Sequence, residues 1–187
     1  NVAFYIYCEL NFTNLLEEST LSIGYDSGKT QPIYGSLITE CDIFAFSPEI
    51  KPIPGHKIVI KAGTVNERMD YWTYNPLTIQ GDLYLRKSIN IGLIVDNFYC
   101  EDNPLLDFST MSDTFTINNH FNGTARVKIS RFPATSKPFY VGDIDNYDIS
   151  QLTIVNDNPN LFSLSKDGNY IISSRLMAEK CGSQTQT

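Results

Sequence analysis

Ile89-Asn90-Ile91-Gly92-Leu93-Ile94-Val95-Asp96 is the stretch on which the reading of the fold turns. Ile89, Ile91, Leu93 and Val95 occupy alternate positions, against Asn90, Gly92, Ile94 and Asp96. Successive side chains of a strand point to opposite faces, so this spacing predicts a strand with one buried face. The same alternation recurs at Leu21, Ile23 and Tyr25, at Ile58 and Ile60, at Leu83 and Leu85, at Phe115 and Ile117, and at Val127 and Ile129. Between these runs stand turn formers: Asp26-Ser27-Gly28, Pro52-Ile53-Pro54-Gly55, Asn75-Pro76, Asn103-Pro104 and Lys166-Asp167-Gly168. Short strands with Gly, Pro and Asn turns predict an all-β chain, and the spacing of the runs predicts an antiparallel sandwich or barrel, of which the β-sandwich is the expectation carried forward. Helix signals are confined to Asn14–Glu17, with N-cap and N3 residues, and to Ser174–Lys180 before Gly182.

The chain has 187 residues, which predicts one domain over 1–187. The one composition break is 131–138, where two prolines among Ser and Lys suggest a linker or a crossing between sheets; the segment after it is below or near the size that folds unaided. Residues 182–187 read as a polar, frayed tail. Hydrophobic residues make up 42%, aromatics 12% and charged residues 19%, which excludes disorder, coiled coil and collagen. A formal net charge of -7, from 14 basic and 21 acidic side chains, argues against nucleic acid and anionic membrane as partners, since both reward clustered Lys and Arg. The longest apolar stretch, Ile91 to Val95, falls far below the roughly 18 residues of a membrane span. Val2 to Tyr7 is too short and too polar for the core of a signal peptide.

Four cysteines stand at Cys8, Cys41, Cys100 and Cys181, without the spacing of a zinc site. Dispersed and even in number, they predict two disulfides and an exported protein. Four cysteines allow three pairings; the favoured one joins Cys8 to Cys41 and Cys100 to Cys181. By loop entropy these bridges would contribute roughly 3.7 and 4.5 kcal/mol. Two sequons, Asn11-Phe12-Thr13 and Asn122-Gly123-Thr124, point the same way, with Asn11 and Asn122 as glycosylation acceptors. Asn122-Gly123 reads as an exposed loop between strands.

Several segments carry tempting chemistry. Gly24-Tyr25-Asp26-Ser27-Gly28-Lys29-Thr30 has three residues between its glycines where a phosphate loop needs four, and reads as a hairpin turn. Only His56 and His120 are available as imidazole bases, and no G-x-S-x-G elbow occurs. Glu17, Glu18, Glu101 and Asp102 are candidates for paired-carboxylate hydrolysis, and read otherwise as solvated loop charges. Asp143-Ile144-Asp145-Asn146-Tyr147-Asp148 gathers Asp143, Asp145 and Asp148 at the spacing of hard oxygen ligands. It makes them calcium candidates, although the glycine and distal glutamate of an EF-hand are missing. No cofactor is expected. In Asp70-Tyr71-Trp72-Thr73-Tyr74 an extended backbone puts Trp72 and Tyr74 on one face and Tyr71 on the other. Tyr71, Trp72 and Tyr74 are therefore ligand-binding candidates, as a stacking platform or a protein hot spot.

Cys41-Asp42-Ile43-Phe44, Pro48, Gly55 with Ile58-Val59-Ile60, Asp70-Tyr71 and Tyr74 together resemble part of a CUB domain, an extracellular β-sandwich used for binding. That resemblance implies a calcium-ligand role for Asp70 alone, and it covers under a fifth of the chain. Ile154-Val155-Asn156-Asp157-Asn158-Pro159 with Phe162 resembles the calcium-binding linker between cadherin repeats. Immunoglobulin-, CUB- and jelly-roll-like topologies all remain open. The resulting expectation is a secreted or cell-surface, disulfide-bonded glycoprotein acting as a non-enzymatic recognition or adhesion module. Its partner would be a cell-surface protein or glycan. The alternatives are the lectin domain of a bacterial pilus tip and a secreted hydrolase using paired carboxylates.

Overall fold

The computed structural model describes residues 10–12, 20–23, 37–39, 42–45, 49–50, 58–67, 76–109, 114–130 and 133–176, with side chains described over 58–65, 76–109, 114–130 and 133–176. The strands are β1 (Leu10–Phe12), β2 (Thr20–Ile23), β3 (Leu37–Thr39), β4 (Asp42–Ala45), β5 (Glu49–Ile50), β6 (Ile58–Glu67), β7 (Leu77–Ile89), β8 (Leu93–Cys100), β9 (Leu105–Asp107), β10 (Phe115–Ile117), β11 (Phe121–Asn122), β12 (Ala125–Lys128), β13 (Thr135–Val141), β14 (Leu152–Ile154), β15 (Phe162–Asp167) and β16 (Tyr170–Arg175). Among the described residues, three single-turn 3₁₀ helices stand at Ile144–Asn146, Ile149–Gln151 and Pro159–Leu161.

The all-β expectation holds, but the strand directions differ from those of an antiparallel sandwich. Every described pair is parallel except β13–β16 and β15–β16. The partners show how the chain runs. Phe98 pairs on one side with Leu83, earlier in the chain, and on the other with Phe121, later in it. Val127 likewise lies between Leu106 and Ile154. Each circuit of the chain thus lays its strands beside those of the circuit before, which is the geometry of a parallel β-solenoid.

The pairings define three columns. The first stacks β1, β3, the start of β6, the middle of β7, the end of β8, and β11. The second stacks β2, β4, the end of β6, the end of β7, β9, β12 and β14. The third stacks β5, the start of β7, the start of β8, β10 and β13, followed by the antiparallel hairpin β15–β16. β7 passes through all three columns, and its register against β8 shifts between Ile79 and Asp82, where it turns a corner. The stripe from Ile89 to Val95 is not one strand. β7 ends at Ile89, Asn90–Gly92 form a corner at which Asn90 N–H donates to the Val65 carbonyl (3.4 Å), and β8 begins at Leu93.

Alternation places one side chain per rung inside each column. Ile60, Leu83, Phe98 and Phe121 lie in register and buried in the first, Val65, Ile89, Leu106 and Val127 in the second, and Ile79, Val95, Ile117 and Val141 in the third. Rungs about 4.8 Å apart let like side chains stack. The Phe98 and Phe121 rings lie 5.5 Å apart at 6°, and Tyr147 continues the stack over Phe121 at 4.2 Å and 16°.

Corners need unusual backbone. Asp102 (φ 57°) and Asn103 (φ 54°) turn the second column's corner in the left-handed region, which Asp and Asn tolerate best among non-glycine residues. Gly142 sits so close to the preceding circuit that a Cβ would overlap the Asn118 carbonyl oxygen. Such direct rung-on-rung approach excludes any side chain there.

One further expectation changes. Ser174 and Arg175, expected to open a helix, belong to β16, where period-two burial on the hairpin overrides the local signal; residues 177–180 lie outside the described residues, as does 14–17. The composition break at 131–138 runs into β13, which begins at Thr135, and β12 and β13 belong to the same sheet. No helix among the described residues is long and apolar enough to cross a membrane.

Candidate functional site

Register turns three short segments into a grid. Asp82-Leu83-Tyr84, Asn97-Phe98-Tyr99 and His120-Phe121-Asn122 lie on successive rungs of the first column, each with its central side chain buried and its flanking ones outward. The outer face therefore carries two parallel files, one of polar groups and one with aromatic rings.

The aromatic file begins at Lys61, whose register partner is Tyr84; its Nζ stands 5.7 Å from the centre of that ring. Tyr84 and Tyr99 stack at 4.5 Å with 16° between planes. Nearly parallel rings on adjacent rungs have their normals along the column. One face of Tyr84 is taken by Lys61, the inner faces cover each other, and the far face of Tyr99 looks toward the rung of Asn122. Partial burial, and then the charges of Tyr99, Asp82 and Glu101, raise the phenol of Tyr84 above its ordinary value, so it remains a neutral hydrogen-bond donor at physiological pH.

The polar file is continuous. Asn97 Nδ2 donates to Asp82 Oδ1 (2.8 Å), and the His120 backbone N–H donates to Asn97 Oδ1 (3.3 Å). His120 Nδ1 lies 2.9 Å from Asp143 Oδ2, and Asn146 Nδ2 donates to Asp143 Oδ1 (2.6 Å). Beside it, Asn118 Nδ2 donates to Asp96 Oδ1 (3.0 Å). His120 is 62% exposed and Asp143 30%, so the bonds leave their outer surfaces to solvent. This arrangement holds planar amide, carboxylate and imidazole groups rigid at rung spacing. Each retains lone pairs or N–H groups for an external partner.

A concavity of about 590 Å³ lies at the corner between the second and third columns, lined by polar Ser109, Lys128 and Asn156 and by apolar Ile129 and Phe162. Asn156 belongs to its wall. Its side chain accepts from the Ile129 N–H and donates to the Ile129 carbonyl, both at 2.8 Å, which ties the corner to the preceding circuit. The segment resembling a cadherin linker is thus a corner of the coil. Likewise β4, within the CUB-like stretch, runs parallel to both of its partners.

The other expected residues are dispersed. Cys181, the expected partner of Cys100, lies outside the described residues; Cys100 is a free, buried thiol at the inner end of β8. Its side chain follows the alternation inward, stacked in register on Leu85, rather than outward toward a partner. Burial raises its thiol far above the ordinary value. Cys8, Cys41 and Cys181 lie outside the described residues, as do Glu17, Glu18, Asp70, Tyr71, Trp72, Tyr74 and His56. Glu101 and Asp102 are exposed at the corner after β8. Asn11 is in β1, with its side chain undescribed. Asn122 is exposed at the end of β11, followed by Gly123 at φ 92°.

Asp143, Asp145 and Asp148 are not brought together as ligands. Asp143 is engaged by His120 and Asn146, and Asp148 caps the second 3₁₀ helix. Hydrogen bonds from the Ser150 side chain and backbone lower the pKa of Asp148. Among the described residues no group of three or more His, Cys, Asp or Glu stands where it could hold a metal ion. Comparison with protein-family models, curated proteins and solved structures gives no match to this chain.

Proposed function

We propose that the chain is a secreted or cell-surface recognition module that binds a neutral saccharide on the outer face of its first column. The observation that carries this reading is the pairing of the Tyr84–Tyr99 stack with the Asp82–Asn97–His120 file. A sugar ring has an apolar CH face, which packs on an aromatic ring, and a hydroxyl rim, which exchanges hydrogen bonds with planar amides and carboxylates. Both demands are met within one rung's width, on a rigid scaffold that needs little ordering when ligand binds. The acidic balance of the chain favours a neutral sugar over an acidic one.

Titration of the full chain with a panel of neutral oligosaccharides tests the reading. A saturable ligand should lose about tenfold in affinity with Tyr99→Ala, and a similar factor with Asn97→Ala. Absence of binding across the panel overturns it. The His120–Asp143 pair, two rungs from Asp82 in the same polar file, favours the hydrolase reading as the alternative. Release of reducing sugar from a polysaccharide, abolished by Asp143→Asn, would put hydrolysis in the place of recognition.

A further inference from the structure

The aromatic file stops one rung short of a residue with covalent potential. Lys61 closes the Tyr84 end of the stack, and Tyr99 turns its remaining face to the rung of Asn122, its register partner. Asn122 is exposed and starts the sequon Asn122-Gly123-Thr124, in which Thr124 is also exposed. Gly123, in the left-handed region, bends the chain away immediately after Asn122. Its backbone lies so close to Cys100 that a Cβ would overlap the Cys100 carbonyl oxygen, which fixes the Asn122 rung firmly over the Tyr99 rung.

We infer that Asn122 carries an N-linked glycan whose first sugar packs on the open face of Tyr99, so that the chain's own glycan fills the end of its saccharide-binding face. The inference rests on the extracellular placement and on the sugar-binding character proposed for this face. In the transfer, the Asn122 amide nitrogen bonds to C1 of a lipid-pyrophosphate-linked oligosaccharide. The C1–O bond to pyrophosphate breaks, the lipid pyrophosphate leaves with the electron pair, and the amide loses one proton. An N-acetylglucosamine attached there is held one rung, about 4.8 Å, from the Tyr99 plane. That is close to the separation at which the two tyrosines already stack. An external saccharide must then compete with a tethered one whose local concentration is in the millimolar range.

The test uses the full chain made in a eukaryotic secretory host, with the Asn122 glycan trimmed enzymatically to its first sugar. Glycopeptide mapping should show Asn122 occupied. NMR should show sugar protons shifted upfield by the ring current, a shift retained in Tyr99→Phe and lost in Tyr99→Ala. Tyr99→Ala should also remove a melting-temperature gain of about 2–4 °C that the glycan confers on the parent chain. Thr124→Ala, which leaves Asn122 in place but destroys the sequon, should bind free saccharide at least about tenfold more tightly than the glycosylated chain.

An unoccupied Asn122, or an occupied one without a Tyr99-dependent shift, overturns the inference. If neither form binds free saccharide while the ring-current shift is present, the proposed binding function falls and the tethered seat stands.

Discussion

Phe98 and Tyr99 are neighbours in one strand, and each begins a stack with the rungs beside it, yet the two stacks differ in almost everything but geometry. The inner one runs from Phe98 through Phe121 to Tyr147 at 5.5 and 4.2 Å, within a core from which water is excluded. The outer one joins Tyr84 and Tyr99 at 4.5 Å on a half-exposed face. The same rung spacing produces both, and the period-two alternation of the strand assigns one residue to stability and the next to the surface. In a solenoid this assignment repeats at every circuit, so one strand's pattern extends into a file along the whole column.

The sharpest way to break the comparison is Phe98→Ala. It removes a fully buried ring that also packs edge-on against Phe115 at 6.2 Å, and should cost about 3–5 kcal/mol of stability in denaturant unfolding. A cost under about 1 kcal/mol would mean that the ring is not in the core.

Alkaline titration probes the same interior at smaller amplitude. Burial raises Cys100, and burial followed by the charges of Cys100 and Asp148 raises Tyr147, whose hydroxyl donates to the Gly123 carbonyl at 3.0 Å. Both pKa values are higher in the folded state, so the unfolded chain loses its protons first. The stabilisation is fully present below the unfolded values, near about 8.5 for the thiol and about 10 for the phenol, and is lost as pH rises through the folded ones. Unfolding free energy should fall above about pH 9, by up to about 1.4 kcal/mol per pH unit for each group. Cys100→Ala should make that fall shallower; an unchanged slope would place the thiol in solvent.

Smallest of all is Tyr99→Ala in the unglycosylated chain. It should leave stability within about 1 kcal/mol of the parent, because only a surface aromatic pair of that order is lost. A loss as large as that for Phe98→Ala would erase the distinction between the two stacks.

The same alternation decides how much of the fold was legible in the sequence. Inward residues such as Ile60, Leu83, Leu85, Phe115, Ile117 and Val127 are readable from period two alone. Strand direction is not, because parallel and antiparallel strands with one buried face share that period. The circuit length also varies, being much shorter from Leu83 to Phe98 than from Val127 to Ile154, so no fixed repeat announces a solenoid. Corners absorb the variation, and their turn formers look like hairpin turns.

The site left one trace. Asp82-Leu83-Tyr84, Asn97-Phe98-Tyr99 and His120-Phe121-Asn122 share a polar–apolar–ring or amide pattern, which aligning strands by their central apolar residue would have found. The surroundings of Cys100 were hidden for a related reason. Cys100 sits at an inward position of β8, and counting cysteines carries no information about which face a strand buries.

The solenoid and both of its outer files depend on parallel register, and one cross-link addresses it. Arg126 and Thr153 are exposed register partners on β12 and β14, one circuit apart. Neighbouring strands bring such Cα atoms about 4.8 Å apart, within disulfide range. In the Arg126→Cys, Thr153→Cys double variant, mild oxidation followed by peptide mapping should recover the 126–153 bridge, with no loss of stability. Two accessible thiols that stay unbridged in the folded protein would contradict the solenoid and both files built upon it.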